Sequence, residues 1–266
     1  MPEGDSVFRL AARLRREVSG RSIVDGELRS GAAAGTSLAG WTLSGFETHG
    51  KHLVTQLSPG WALHTHLLMQ GSWSITGPGR RLPASVAARA RVRAQLDDER
   101  TLWGIDMPIV ELMRETDVAG ALAYLGPDPL RPDWDAAEAV ARLGQHPDRT
   151  VVAALLDQRN VAGLGNLWVN ELAFLSGAHP FAPIGSVDAG ALVSRAARAL
   201  RLSATVPGMY QVTTGDARRG RSHWVAGRAG KPCLRCGTSI RVRAEVVDDP
   251  ERRRTWWCPR CQPPVR

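Results

Sequence analysis

The chain begins with a group of residues, Met1-Pro2-Glu3-Gly4, that is equipped to form a Schiff base. Removal of Met1 makes Pro2 an N-terminal secondary amine, and an α-amino group with a pKa of about 7.7–8.0 is partly unprotonated near neutral pH. Such an amine attacks carbonyl-like carbons, and the neighbouring carboxyl of Glu3 can transfer a proton. The alternative is structural, since Pro and Glu both suit the first turn of a helix.

All the cysteines of the chain lie near its C-terminal end, in the pattern C-x2-C-x21-C-x2-C: Cys233, Cys236, Cys258 and Cys261. Two such pairs supply four thiolates in the closed tetrahedral arrangement typical of structural zinc. Two disulfides are the main alternative and an iron–sulfur cluster is a further one. The absence of a recognisable secretory signal disfavours disulfides, so we expect one Zn²⁺.

Lys51 is one of two lysines in a chain with 32 arginines. Arginine stays protonated in proteins, whereas the pKa of a lysine can be shifted into a useful range. Lys51 is therefore a candidate proton donor or acceptor, although chance retention of a lysine remains the alternative.

The net charge of +8 is concentrated at the C-terminal end of the chain. Residues 217–266 contain 13 basic and 4 acidic residues, a net charge of +9, so the rest of the chain sums to −1. A basic module of this kind indicates a polyanionic partner. Arg253 and Arg254 fall at or near the turn of a predicted hairpin, where an arginine can reach a phosphate; a solvated charge run is the alternative for Arg252 and Arg254.

Hydrophobic periodicity predicts the elements that position these groups. Residues 4–18 have the spacing of a helix that stops at Gly20. From about residue 21 to 114 the pattern changes to short strands separated by Gly, Pro, Asp and Ser, which predicts a β-sandwich or flattened barrel with an exposed loop at 77–85. The predicted strands are 22–28, 42–47, 52–57, 61–66, 73–76, 90–96 and 101–105.

The second half of the chain is predicted to be helical. Residues 115–135 form a connector, and helices are predicted at 135–143, 150–156 with Thr150 as N-cap, 167–175 and 186–205. Residues 158–165 form a turn in which Gly163 and Gly165 permit close backbone approach, and we expect Asn166 to cap the next helix. Free N–H groups at such a helix start bind phosphate, but most turns of this kind only connect helices. Strands at 240–247 and 253–257 complete the predicted hairpin.

These segments occur in an order that resembles the formamidopyrimidine-DNA glycosylase and endonuclease VIII family of bacterial DNA glycosylases. The segments concerned are Met1-Pro2-Glu3-Gly4, His49-Gly50-Lys51-His52, His66-Leu67-Leu68-Met69, residues 155–171 and the cysteine finger at 233–262. The opening Met-Pro-Glu-Gly is more similar to the endonuclease VIII branch. The resemblance implies an α+β fold: an N-terminal β-sandwich with an N-terminal helix, a helix-two-turn-helix domain and a C-terminal zinc-finger β-hairpin. We place these domains at 1–114, 136–216 and 217–266, with a linker at 115–135.

The resemblance also implies roles for individual residues. Pro2 would attack C1′ of a damaged nucleotide, Glu3 would assist base loss and ring opening, and Lys51 would donate a proton for β-elimination. Arg253 would act in δ-elimination, with Arg254 as its substitute if the turn is shifted by one residue. Met69 would fill the gap left by a flipped nucleotide, unless it belongs to the core, and Asn166 would hold a DNA phosphate.

The implied activity is that of a bifunctional glycosylase and lyase that removes oxidised pyrimidines and cleaves the abasic strand by β,δ-elimination. Oxidised-purine specificity and non-catalytic binding of damaged DNA are the alternatives. The chain departs from the family pattern at Asp5-Ser6, where Pro-Glu is frequent, and at Leu68, where a polar residue is frequent; both affect lesion preference. The segment 207–224, with Arg218, Arg219 and Arg221, is expected near the flipped base.

The expected partner is double-stranded DNA with oxidised bases or abasic sites, with single-stranded DNA as a further partner. We expect a monomer in the bacterial cytoplasm, associated with the nucleoid. No run of about 18 apolar residues is present, so no membrane span is expected.

Overall fold

The computed structural model describes residues 2–243 and 253–264. The described residues divide into two units. Residues 2 and 6–123 form the first unit, and residues 3–5 together with the chain from Tyr124 onward form the second. The boundary lies inside the connector predicted at 115–135. The cysteine finger falls in the same unit as the helices, and the finer division into three domains and a linker stays a prediction.

The first unit contains the N-terminal helix and the strands. Helix α1 (Gly4–Val18) presents an apolar stripe of Val7, Ala11, Leu14 and Val18, all fully buried, as its spacing predicts. Gly20, at a φ of +81°, follows the helix and takes the left-handed conformation that glycine adopts most readily.

Eight strands build two antiparallel sheets. They are β1 (Ile23–Leu28), β2 (Thr42–His49), β3 (His52–Ser58), β4 (Trp61–His66), β5 (Ser72–Thr76), β6 (Ala90–Leu96), β7 (Thr101–Ile105) and β8 (Ile109–Arg114). The strand orders are β1-β6-β7-β5 and β2-β3-β4-β8. One core contains side chains of both sheets, such as Leu28, Phe46 and Leu63, together with the stripe of α1. The predicted β-sandwich with an N-terminal helix is confirmed.

The structure differs from the sequence expectation in short elements. Strand β8 is absent from the seven predicted strands because its residues do not alternate: Val110 is its one deeply buried side chain, and Leu112 and Met113 are adjacent and half-buried. Helix α2 (Ala84–Ala87) lies at the end of the predicted loop. The predicted connector contains a 3₁₀ turn at Glu115–Asp117 and helix α3 (Val118–Ala121).

Helices form the core of the second unit. They are α4 (Ala136–Gly144), α5 (Val151–Leu156), α6 (Asn166–Leu175) and α7 (Ala189–Thr205), with a 3₁₀ turn at Ile184–Ser186. Three helix starts carry side-chain caps that satisfy N–H groups of the first turn: Asp135 accepts from Glu138, Thr150 from Ala153 and Asp188 from Ala191. The N-cap predicted at Thr150 is thus confirmed.

The second unit also includes the cysteine finger. Strands β9 (Arg241–Arg243) and β10 (Thr255–Trp257) pair in antiparallel fashion, whereas the rest of the predicted hairpin, with Arg252, lies outside the described residues. The buried carboxylate of Glu171, on α6, accepts backbone hydrogen bonds of 2.8 Å each from Trp224, Val225 and Ala226. These bonds attach the chain that enters the finger to helix α6.

None of the helices within residues 2–243 and 253–264 combines the length and the apolar character that a membrane crossing requires.

Candidate active site

Glu3 is held in a cradle of backbone N–H groups at the start of helix α6. Its two carboxylate oxygens accept hydrogen bonds from Gly165 (2.9 Å), Leu167 (2.8 Å) and Trp168 (3.3 Å), and the residue is 1% exposed. The first N–H groups of a helix have no intrahelical partner, and the helix dipole favours negative charge at this end. The cradle therefore stabilises Glu3 as an anion.

Two glycines make this close approach possible. A Cβ atom at Gly165 would lie 2.4 Å from Cδ of Glu3, and a Cβ atom at Gly4 would lie 2.8 Å from Cα of Gly163. The backbone N–H of Gly4 donates to the carbonyl of Gly163 at 2.9 Å. Any side chain at Gly165 or Gly4 would push the N-terminal segment out of the cradle. At Gly165 this agrees with the close backbone approach that the sequence predicted for the turn at 158–165.

The expectation that Asn166 caps helix α6 is wrong. The N-cap position is Gly165 and Asn166 is already the first helical residue, because the carboxylate of Glu3 satisfies the free N–H groups instead. The side chain of Asn166 donates from Nδ2 to the carbonyl oxygen of Arg254 at 3.0 Å, and Oδ1 of Asn170 accepts from the N–H of Trp256 at 2.8 Å. The two asparagines thus bind strand β10 and the residue directly before it.

The structure brings two of the three residues expected to bind DNA together: Asn166 contacts the backbone of Arg254. The side chain of Arg254 is exposed and Arg253 beside it is half-buried. The third, Met69, lies in the first unit and is 65% exposed, which excludes the core alternative for that residue. Leu68 before it is 39% exposed and has a left-handed φ of +45°.

Lys51 lies in the turn between β2 and β3 of the first unit and is 9% exposed. Gly50, at a φ of +58°, forms the turn that directs the chain from His49 into His52. Pro2, which belongs to the same unit, is half-buried. Lys51 therefore stays a candidate proton donor in a largely buried position.

Histidines surround this turn. Burial first, and then the charges of His66, His64, His49 and Lys51, lower the pKa of His52 to about 3. Burial, followed by the charges of Lys51 and His64, lowers the pKa of His66 to about 4. Both imidazoles are therefore neutral near pH 7.

The four cysteines form a cluster that fits a metal ion. Their Sγ atoms all lie within 4.8 Å of one another, and the Cys236–Cys258 and Cys236–Cys261 distances are 3.4 and 3.5 Å. A tetrahedral site with metal–sulfur bonds of ~2.3 Å requires sulfur–sulfur distances of ~3.8 Å. None of the four is in a disulfide, so the disulfide alternative is excluded. Among the described residues, this is the one His, Cys, Asp and Glu group with metal-binding geometry.

The segment expected near a flipped base is folded by its own hydrogen bonds. The carboxylate of Asp216 pairs with Arg218 and Arg221 at 2.7 Å each, and Thr214 donates to the carbonyl of Arg221 at 2.6 Å. Arg218 and Arg221 are largely exposed, and the hydrogen bond from Arg218 holds the pKa of Asp216 below its ordinary value.

Sequence reasoning missed several buried polar groups. Asp5, which stands where a departure from the family pattern was noted, is fully buried and accepts a 2.5 Å hydrogen bond from Oγ of Ser203 on α7. Glu171 and its three N–H donors were also missed. The signal for Glu171 was the one ionisable side chain in helix α6, since an isolated charge is rarely buried without partners.

Comparison with known proteins agrees with the architecture of the two units. Residues 1–108 match the formamidopyrimidine-DNA glycosylase N-terminal domain, and residues 125–203 match the formamidopyrimidine-DNA glycosylase H2TH domain. The chain is 41% identical over 264 residues to the "Probable endonuclease 8 2" of Streptomyces coelicolor, covering 98% of this chain and 94% of that protein. The chain belongs to the formamidopyrimidine-DNA glycosylase and endonuclease 8 family.

Other members of this family are similarly related. The chain is 42% identical to the "DNA-(apurinic or apyrimidinic site) lyase Nei2" of Mycolicibacterium smegmatis, with 98% of this chain and 99% of that protein covered. Its fold is similar to that of Lactococcus lactis Fpg in complex with DNA containing an N7-benzyl-Fapy-dG, with a TM-score of 0.80 at 23% identity over 98% of this chain and 100% of that chain. The resemblance noted in the sequence and the α+β fold that it implied are confirmed.

The buried histidines predict a stability that falls in mild acid. Unfolded histidines titrate near pH 6.5, whereas His66 and His52 take up protons at about 4 and 3, so between pH 6.5 and 4 only the unfolded state binds these protons. The contribution of these two histidines to the unfolding free energy should be level above pH 7 and should fall below pH 6.5, with His66 contributing about 3 kcal/mol at pH 4.

Urea titrations of the wild type and of His66→Gln at several pH values measure this loss. The variant should lose less stability between pH 7 and 4 than the wild type, while His146→Gln, which removes an exposed imidazole, should follow the wild type. Equal slopes for wild type and His66→Gln would contradict the assignment.

Proposed function

We propose that the chain is a bifunctional DNA glycosylase and abasic-site lyase of base excision repair. The observation that carries this proposal is the cradle around Glu3. Three N–H groups at the start of helix α6 hold the residue directly after Pro2, so the amine released by removal of Met1 has a fixed position beside the carboxyl group of Glu3. Relatives named endonuclease 8 and DNA-(apurinic or apyrimidinic site) lyase support the same activity.

The proposed chemistry starts at the nitrogen of Pro2. Its lone pair forms a bond to C1′ of the damaged nucleotide, and the glycosidic bond breaks with its electron pair leaving on the base. Opening of the sugar ring at O4′ then gives an iminium between Pro2 and C1′. The anion of Glu3 stabilises the positive charge that develops at C1′ and exchanges the proton that ring opening requires.

Strand cleavage follows from the iminium, which acidifies the C2′ proton. Loss of that proton expels the 3′ phosphate in β-elimination, and Lys51 supplies the accompanying proton. Arg253 assists the second, δ-elimination step, with Arg254 as its substitute. In this proposal Asn166 and Arg254 contact the DNA backbone from the place where helix α6 meets strand β10, and exposed Met69 fills the space of the flipped nucleotide.

The proposed substrates are oxidised pyrimidines in duplex DNA. The relatives named endonuclease 8 support this choice. Oxidised purines are the alternative, because other relatives are named formamidopyrimidine-DNA glycosylase. That of Chloroflexus aggregans is 34% identical over 85% of this chain. Cleavage of duplexes with thymine glycol, dihydrouracil or 8-oxoguanine separates the two. We further propose that the enzyme acts as a monomer on nucleoid DNA, and on single-stranded DNA as well.

The proposed metal of the finger is one structural Zn²⁺. Four sulfur donors with tetrahedral spacing match its preferred ligands, and the ion would brace the basic hairpin that carries Arg253 and Arg254.

Removal of one thiolate should abolish metal binding. Elemental analysis is expected to find about one zinc ion per wild-type chain and none in Cys258→Ser, because three thiolates leave the tetrahedral site open. DNA affinity in salt titrations should fall together with the metal, while helix content stays close to the wild type. Full DNA affinity without metal would exclude the bracing role.

Borohydride trapping on an abasic-site duplex tests the central chemistry. The wild type should form a covalent complex, and protein that retains Met1 or carries a blocked N-terminus should form none. Lys51→Arg keeps the positive charge but gives up its proton poorly, so it should trap normally and lose strand cleavage by roughly 10²-fold.

Salt-sensitive DNA binding without trapping would favour a non-catalytic damaged-DNA-binding protein instead. Equal cleavage by the blocked and the free N-terminus would exclude Pro2 as the nucleophile.

A further inference from the structure

A row of hydrogen-bonded side chains crosses three neighbouring strands of the sheet β2-β3-β4-β8. Nδ1 of His52, on β3, lies 2.7 Å from Nε2 of His64 on β4. Nδ1 of His64 lies 2.9 Å from Oε2 of Glu111 on β8, which is its direct partner in the strand register. These three residues alternate with core residues along their strands, so the row lies on the face of the sheet that points away from the sandwich core.

The row connects a solvent-exposed end with a buried one. The side chain of Glu111 is 58% exposed, whereas His64 and His52 are 6% and 7% exposed. At the buried end His52 directly follows Lys51, whose charge contributes to the lowered pKa values of His52 and His66. Lys51 therefore lies within electrostatic reach of the imidazole that ends the row.

Other titratable groups of the first unit share this face. His66 makes an edge-on ring contact with His52, with 4.7 Å between centroids, and its Nδ1 accepts from the N–H of Leu68. On β2, His49 is the register partner of His52, and Glu47 accepts a hydrogen bond of 3.0 Å from Gln56. Glu47 is an exposed carboxylate on the same face as Glu111, but it is hydrogen-bonded to Gln56 and not to a residue of the row.

The chemistry of the three groups fixes the hydrogens of the row. A carboxylate only accepts hydrogen bonds, so Nδ1 of His64 carries a hydrogen towards Glu111. His52 is neutral near pH 7 and has one N–H. With a neutral His64, Nε2 of His64 accepts from Nδ1–H of His52, and Nε2 of His52 then presents a lone pair. With a protonated His64 the bond reverses, and Nε2 of His52 carries the hydrogen.

We propose that Glu111 and His64 are positioning residues that fix the tautomer of His52 and thereby control the proton of Lys51. The inference rests on the proton-donor role proposed for Lys51. The inference requires Nε2 of His52 to face the ammonium group of Lys51, where a lone pair and the absence of a second cation both keep the proton on Lys51 until β-elimination takes it. The row transfers no proton itself; it determines which nitrogen of His52 carries one.

The pH dependence of β-elimination tests this inference. Single-turnover cleavage of a preformed abasic-site duplex is measured from pH 6 to 9 for the wild type, Glu111→Gln, His64→Gln and the matched control Glu47→Gln. Loss of the anchoring carboxylate should move the alkaline limb of the profile to lower pH and slow cleavage at pH 8 by about three- to tenfold. Borohydride trapping, which in the proposed mechanism depends on Pro2 and Glu3 and not on Lys51, should stay unchanged.

Glu47→Gln removes the same charge from the same face without touching the row, so its profile should match the wild type. Long-range ¹H–¹⁵N spectra report the tautomer directly: His52 should carry its hydrogen on Nδ1 in the wild type and lose this preference in Glu111→Gln. Melting temperatures within a few degrees of the wild type exclude a folding defect, since Glu111 is exposed.

The proton-donor role of Lys51 and the positioning role of Glu111 and His64 can be disproved separately. Wild-type cleavage by Lys51→Arg would remove the role of Lys51 and this inference with it. Lost cleavage in Lys51→Arg, combined with a wild-type profile and an unchanged His52 tautomer in Glu111→Gln, would overturn this inference alone. An equal shift in Glu47→Gln would show a general charge effect and would also overturn it.

Discussion

The contact between the carboxylate of Glu3 and the start of helix α6 is the interaction on which the rest of this structure depends. It satisfies three N–H groups that a helix leaves without partners, and it does so with a residue 162 positions away in sequence from the first of them. The glycines at positions 4 and 165 serve this contact, because they let two backbone segments approach within the space that a side chain would fill. The chemistry proposed at Pro2 requires a fixed nitrogen, and the neighbouring carboxylate provides that fixation.

Helix α6 combines this contact with two others. Its first turn holds Glu3, its asparagines Asn166 and Asn170 hold strand β10 of the finger, and its buried Glu171 holds the chain that leads into the finger. Both glutamates accept hydrogen bonds from several backbone N–H groups, which is the arrangement in which a buried carboxyl group is tolerated. One ten-residue helix therefore positions the proposed catalytic carboxylate and the basic hairpin together.

Local signals in the sequence predicted much of this architecture. The stripe of helix α1, the seven alternating strands, the N-cap Thr150 and the spacing of the four cysteines each depend on neighbouring residues, and the structure agrees with all of them. Strand β8 lacks alternation and was missed. With it the row from Glu111 to His52 was missed, because that row exists only once the register of β3, β4 and β8 is known.

The error at Asn166 has the same physical origin. An asparagine after Gly-Leu-Gly is a reasonable cap from local sequence, but the carboxylate that fills the position comes from the other end of the chain. No periodicity connects residue 3 with residues 165–168, so the sequence indicated the chemistry of Glu3 and not its place in the fold. Asp5 is a second example, because its hydrogen-bond partner Ser203 lies on α7, far away in the sequence, and local sequence patterns do not predict such a pair.

Amide hydrogen exchange of helix α6 tests the central claim most directly. In Glu3→Ala the amides of Gly165, Leu167 and Trp168 lose their acceptor, and a charge-assisted network of about 3 kcal/mol corresponds to roughly 100-fold faster exchange at these positions. The amides of Leu172 and Phe174, deeper in the same helix, should change far less. Wild-type protection at Gly165, Leu167 and Trp168 in the variant would contradict the claim that Glu3 holds the start of this helix.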